Sequence, residues 1–166
     1  METTVSLDTL VKEHPFLADL RPDFCDFLIG CAMVRRFASK QRVFDEGGEA
    51  DHFYLIVTGS LRLETSVPKD GMVPIQLLGA GDALGWSWLF PPYRWHFSAT
   101  TTAPTEVISF AADALRGKAA RDLEFSNELL SRVARTILQR LQATRRELVH
   151  LYSPDLLPDD RALPVQ

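Results

Sequence analysis

The residues best equipped for chemistry crowd into one short stretch, Gly85 to Ala99. All three tryptophans of the chain, Trp86, Trp88 and Trp95, fall there beside Phe90, Tyr93 and Phe97. Rings at that density can stack on a planar or apolar ligand, with Arg94, His96 and Ser98 supplying polarity. Arg94 is the guanidinium that could turn inward to a phosphate or carboxylate. The candidate ligand-binding set is therefore Gly85, Trp86, Ser87, Trp88, Arg94, His96, Phe97, Ser98 and Ala99. The same rings could instead plug the cavity and make it solid core, because buried aromatics usually serve packing. The sequence alone leaves both readings open.

A tenth candidate, Thr144, interrupts an otherwise apolar helical seam. Its hydroxyl must find a partner there or lose a hydrogen bond at roughly 1–3 kcal/mol. It can reach a ligand or bond back to the carbonyl one turn earlier.

Other chemistries find no support. A metal site on a β-roll needs several histidines and a carboxylate on strands, yet of the four histidines only His52 and His96 lie in the β region. His14 and His150 read as helical. Cys25 and Cys31 sit six apart on a probable helix, neither a zinc spacing nor a disulfide framework, and read as reduced packing residues. There is no nucleophile elbow, no phosphate-loop glycine pattern and no motif pairing an acid with a base. No catalytic residue and no metal ligand is assigned, and the chain is not expected to be an enzyme.

The elements that must position Gly85–Ala99 follow from periodicity. Leu7, Leu10, Val11, Phe16 and Leu17 precede Pro22, and Phe24, Phe27, Leu28 and Ile29 follow at helical spacing, with Pro22 suited to a first helical turn. From Val34 to about residue 110 the rhythm changes to short β-branched and aromatic runs punctuated by Asp45-Glu46-Gly47-Gly48, Gly59-Ser60, Lys69-Asp70-Gly71 and Gly79-Ala80-Gly81-Asp82. Turn signals about every ten residues, with no helical pattern between them, predict an antiparallel β jelly roll over about 34–110. His52 to Val57 and Leu61 to Glu64 read as a hairpin about Gly59. Beyond Phe110 the period is helical again, with Gly117 a candidate end for a short helix and about 120–152 one long helix.

Along that helix Leu130, Val133, Ile137, Leu141, Thr144, Leu148 and Leu151 recur at spacings of three or four. A small roll cannot cover so long a stripe, so the seam is expected to pair with a second copy in a homodimer, through Leu130, Val133, Ile137, Leu141 and Leu148. Residues 1–152 are read as one domain, and Ser153 to Gln166, with its prolines, as a flexible tail.

At 166 residues, 46% hydrophobic and 24% charged, the chain has the composition of an ordinary globular domain. The net charge of −4 is uneven: residues 1–115 carry 9 basic and 15 acidic side chains, and residues 116–147 carry 8 and 4. A solvated helix face explains that basic stretch, and a nucleic-acid role is not expected of a chain acidic as a whole. No apolar run suggests a membrane span and METTVSLDTL is no secretory signal, so the expected compartment is the cytoplasm and no membrane partner is expected.

Several short motifs in fixed order resemble the cyclic-nucleotide-binding domain family: His14-Pro15-Phe16 with Leu20, Phe44-Asp45-Glu46-Gly47, Ala50 to Ile56, Gly59-Ser60-Leu61-Arg62-Leu63, then Gly81-Asp82 and Leu84-Gly85. The resemblance covers about residues 10–152. It implies a Crp/Fnr-like sensor domain: a jelly roll with N-terminal helices and a long C-terminal dimerisation helix. It also implies a cassette in which backbone amides and an arginine hold a cyclic phosphate while a glutamate holds the ribose. Here Trp86 stands in the glutamate slot and Phe97 in the arginine slot, so affinity for cyclic AMP or GMP is expected to be altered or lost. Arg140-Leu141-Gln142-Ala143-Thr144 is similar to the stretch of the catabolite activator whose threonine touches adenine. The implied effector is a cyclic nucleotide or another small anionic or aromatic molecule. Relatives that bind DNA append a helix-turn-helix domain, for which the residues after 152 are too few, so no DNA binding is expected. The expectation is a regulatory ligand sensor signalling through a dimer helix; its rival is an interaction scaffold, docking a protein partner, whose pocket its own tryptophans fill.

Overall fold

The computed structural model describes residues 5–152, so the expected tail over Ser153 to Gln166 lies outside the described residues. Helix α1 spans Leu7–Glu13 and starts where the Ser6 hydroxyl accepts from the Thr9 amide, an N-cap that satisfies one of the free amides of a first turn. A single 3-10 turn, Pro15–Leu17, follows. His14, expected within a helix, instead caps that turn: its Nδ1 accepts from the Phe16 amide at 3.2 Å and its Nε2 lies 3.0 Å from the Ile56 carbonyl oxygen. Helix α2, Pro22–Cys31, opens on Pro22 at N1, where the missing amide hydrogen costs nothing.

Eight strands come next: β1 (Ala32–Phe37), β2 (Arg42–Phe44), β3 (His52–Thr58), β4 (Ser60–Val67), β5 (Gly71–Gly79), β6 (Ala83–Leu84), β7 (Ser98–Thr101) and β8 (Thr105–Ala111). They form two antiparallel four-stranded sheets, ordered β1-β8-β3-β6 and β2-β7-β4-β5, which is the expected jelly roll. β3 is buried on both faces. Phe53 meets Phe16 of the 3-10 turn at 5.3 Å, while Tyr54 on the opposite face stacks at 6.2 Å on Phe44 of the other sheet. Leu55, Ile56, Leu61, Leu84, Val107 and Ile108 have no exposed surface. Burial of each such side chain is worth about 1.5–3 kcal/mol.

Two further local expectations fail. β3 and β4 do not pair with each other: Gly59 is where the chain leaves one sheet for the other, and the tight hairpin is β4 with β5. Gly59 has φ +86°, and a Cβ there would stand 2.3 Å from the Pro104 carbonyl oxygen, so the crossing requires glycine. Alternating apolar strands about a glycine look alike whether the chain folds back or changes sheet. Gly117 does not end a helix either; α3 runs Ala112–Arg121 straight through it, and the break falls at Asp122, which adopts extended angles. Asp122 accepts from the Phe125 amide at 3.0 Å, and its carboxyl is held below the usual range by a hydrogen bond from Lys118 and by that amide.

Helix α4 then runs Leu123–Tyr152. The chain divides into two compact units, one through Ser126 and one from Asn127 onward. In the second, Leu130, Leu141 and Leu148 are exposed, Ile137 is half-buried and Val133 is buried. None of the described helices is long and apolar enough to cross a membrane.

Candidate functional site

The segment 85–97 carries the chain from β6, paired with β3 in one sheet, to β7, paired with β2 and β4 in the other. It therefore closes one end of the roll. Gly85 begins it with φ +80°, and a Cβ at Gly85 would stand 2.4 Å from the six-membered ring of Trp95. That ring is the centre of the arrangement. It stacks on Phe44 with centroids 3.8 Å apart and planes 9° from parallel, and lies 6.4 Å from Tyr54. Trp95 is 3% exposed. Its backbone is fixed on both sides: its amide donates to the Gly48 carbonyl at 2.9 Å and its carbonyl accepts from the Gly47 amide at 2.8 Å.

Trp88 serves a second, separate core. It is completely buried, donates through Nε1 to the Gly85 carbonyl at 3.2 Å, and packs 5.2 Å from Phe53. Its own carbonyl accepts from Arg116 of α3 at 2.6 Å, and the same guanidinium lies 4.3 Å above the Tyr93 ring. Trp86 and Phe97 meet edge to face at 6.3 Å and remain half-buried.

The polar candidates bond within the segment or to the turn at Glu46 and Gly47. Ser87 is buried and bonded to His96 Nδ1 at 2.9 Å, and the Ser98 hydroxyl accepts from the Glu46 amide at 2.9 Å. Arg94 is exposed, and its Nη1 donates to the Gly47 carbonyl at 3.0 Å; in the described conformation it does not turn inward. Ala99 is fully buried in β7, opposite Leu63 and Phe44. Thr144 is an exposed residue of the second unit.

Gly85, Trp86, Ser87, Trp88, Arg94, His96, Phe97, Ser98 and Ala99 thus share one crossing segment and its first β7 residues. Phe44 and Tyr54 were missed as members of the site. Their signal was present, because Phe44 ends a strand just before a turn and Tyr54 sits in the unbroken apolar run of β3. Burial pushes the Tyr54 phenol above its ordinary pKa, with the nearby Arg35 opposing. A ring sandwich of Tyr54, Phe44 and Trp95 is apolar packing, suited to filling space and not to proton transfer.

The family model for the cyclic nucleotide-binding domain matches residues 34–122. A curated relative, the CRP-like cAMP-activated global transcriptional regulator of Mycobacterium tuberculosis, is 30% identical over 120 residues, which is 72% of this chain and 52% of the regulator. The chain thus spans about half the length of the curated relatives it matches. A crystal structure of a Geobacter metallireducens GS-15 protein named for cyclic nucleotide binding superposes with TM-score 0.74 at 24% identity, covering 82% of this chain and 98% of that one. A cyclic nucleotide-binding domain from Methylobacillus flagellatus gives TM-score 0.72 at 19% identity, over 93% of this chain and 84% of that one. At those identities the two structures attest the fold.

Proposed function

The chain belongs to the cyclic nucleotide-binding domain family, and on that premise we propose that it is a regulatory module whose nucleotide pocket is closed by its own Trp95. The observation that carries this reading is the Trp95 ring, stacked at 3.8 Å on Phe44 and pressed against Gly85, where the cassette begins. The side chains support the same reading. By resemblance the ribose-binding glutamate slot holds Trp86 and the phosphate-binding arginine slot holds Phe97, and each lost charge-assisted hydrogen bond removes roughly 1.5–3 kcal/mol. Arg94, the remaining cation of the segment, is engaged with the Gly47 carbonyl. Cyclic AMP and GMP then bind weakly or not at all.

The output of such a module is the long helix. Leu130, Leu141 and Leu148 are 42%, 64% and 52% exposed, an apolar stripe that a second copy of the chain covers in a homodimer. The module is regulatory and not catalytic, and acts in the cytoplasm on a protein partner.

Thermal melting tests the closed pocket. At about 1 mM nucleotide a micromolar binder would add about 4 kcal/mol, so an unmoved melting midpoint with both cyclic AMP and cyclic GMP is expected. An upward shift of several degrees with either one overturns the reading.

A further inference from the structure

A cleft of about 220 Å³, lined by none of the residues of the 85–97 segment, opens on the sheet β1-β8-β3 among Cys31, Met33, Arg35, His52, Ser109 and Ala111. Cross-strand register explains why these residues meet. Met33 lies opposite Ser109, which lies opposite Tyr54, and Ala111 lies opposite His52, so their side chains share one face of the sheet.

Two features of the cleft lack an internal explanation. Met33 is 64% exposed, an unbranched apolar side chain standing in solvent beside a cation. Arg35 has no carboxylate partner among the described residues; its guanidinium lies 5.9 Å from the Phe37 ring centroid and its Nη1 donates to the Tyr54 hydroxyl at 3.3 Å. Its neighbour Arg36, by contrast, is paired with Glu106 at 2.6 Å. Across the cleft the His52 ring stacks 5.8 Å from Tyr54, with Asp51 Oδ1 2.9 Å from its Nδ1. Ser109 spends its hydroxyl hydrogen on the Met33 carbonyl at 3.2 Å.

We infer that this cleft binds a small aromatic carboxylate, independently of whether the roll admits a nucleotide. The planar donor fork of Arg35 fits a carboxylate in bidentate fashion. The ring covers Met33, whose polarizable sulfur favours aromatic contact, and Ala111 forms the apolar wall. The size agrees: at about 30 Å³ per water, the space holds roughly seven waters, or a ligand on the order of ten non-hydrogen atoms.

The test uses the full chain labelled at its methionine methyl groups and titrated with benzoate. Met33 lines the cleft, whereas Met72 on β5 does not and serves as control. The expected result is a saturable shift of the Met33 methyl below about 10 mM benzoate, with Met72 still. Benzyl alcohol, of the same shape without the charge, is expected to leave Met33 unmoved. Arg35→Leu is expected to weaken benzoate at least about tenfold, with the Met72 methyl in place to report an intact roll. An unmoved Met33, equal binding of benzyl alcohol, or benzoate binding that survives Arg35→Leu each overturns the inference. Should Arg35→Leu fail to fold, the benzoate and benzyl alcohol titrations of the unmodified chain decide it alone.

Discussion

Between Gly85 and Ala99, Trp88 and Trp95 are 0% and 3% exposed, whereas along the helix beyond Asn127 the leucines at 141 and 148 expose 64% and 52%. Both regions are rich in large apolar side chains, and both were read from the sequence as places where something binds. The difference is that the crossing segment has found its partners within the chain. Trp95 has Phe44, Trp88 has Phe53 and the Gly85 carbonyl, Ser87 has His96, and Arg94 has the Gly47 carbonyl. The helix stripe remains exposed among the described residues, and on the proposed reading a second copy covers it. An aromatic-rich segment in a sequence is thus no more a ligand site than an aliphatic seam is, until the partners of each ring are counted.

The sharpest way to break that contrast is truncation. Trp88→Ala is expected to cost about 3–5 kcal/mol in urea unfolding, because a fully buried indole leaves a cavity and an unpaired carbonyl at Gly85. Leu141→Ala, measured in dilute, dissociated protein, is expected to change stability by less than about 0.5 kcal/mol. Comparable losses at both positions would erase the distinction.

Next in size is Ile137→Asp. A charge placed in a paired seam is left without solvation, so light scattering at micromolar concentration is expected to show a dimer for the unmodified chain and a monomer for this variant. A chain already monomeric would refute the pairing of α4.

Gly85→Ala probes how tightly the plug is seated. The φ of +80° and the would-be contact with Trp95 combine to a loss of about 2 kcal/mol, read as a lower urea midpoint. A neutral substitution would mean that the Trp95 ring moves aside easily and that the pocket opens.

The smallest effect concerns pH. Burial lowers the pKa of His14, with the Ile56 carbonyl opposing, and in the neutral ring Nε2 donates to Ile56 while Nδ1 accepts from the Phe16 amide. The unfolded chain therefore takes up the proton first. The contribution of His14 is complete above the ordinary histidine pKa and is lost as pH falls through that value toward the lower folded one. Urea midpoints from pH 7.5 to 5 are expected to fall, and to fall less in His14→Gln.

Much of this was legible in the residues. The jelly roll and the helices before and after it rested on periodicity and turn residues, which local physics sets, and the family resemblance on short motifs in fixed order. One failure turns on a partner remote in sequence and one on a local cap. The sheet change at Gly59 requires glycine because the Pro104 carbonyl stands against it, whereas Gly117 stays helical because Asp122, accepting from the nearby Phe125 amide, ends α3 and caps α4. At the site, the proposed closing of the pocket turns on Phe44, distant in sequence from Trp95, and no pattern within 85–99 contains that stacking. The cleft at Arg35 was illegible for the same reason, since register across three strands assembles it.

Isothermal titration calorimetry of the unmodified chain with cyclic AMP tests the central claim most directly. With Trp95 stacked on Phe44, and with Trp86 and Phe97 in the slots that the resemblance assigns to glutamate and arginine, no saturable heat is expected on the proposed reading up to about 1 mM nucleotide. A micromolar dissociation constant with one nucleotide per chain would contradict the closed pocket.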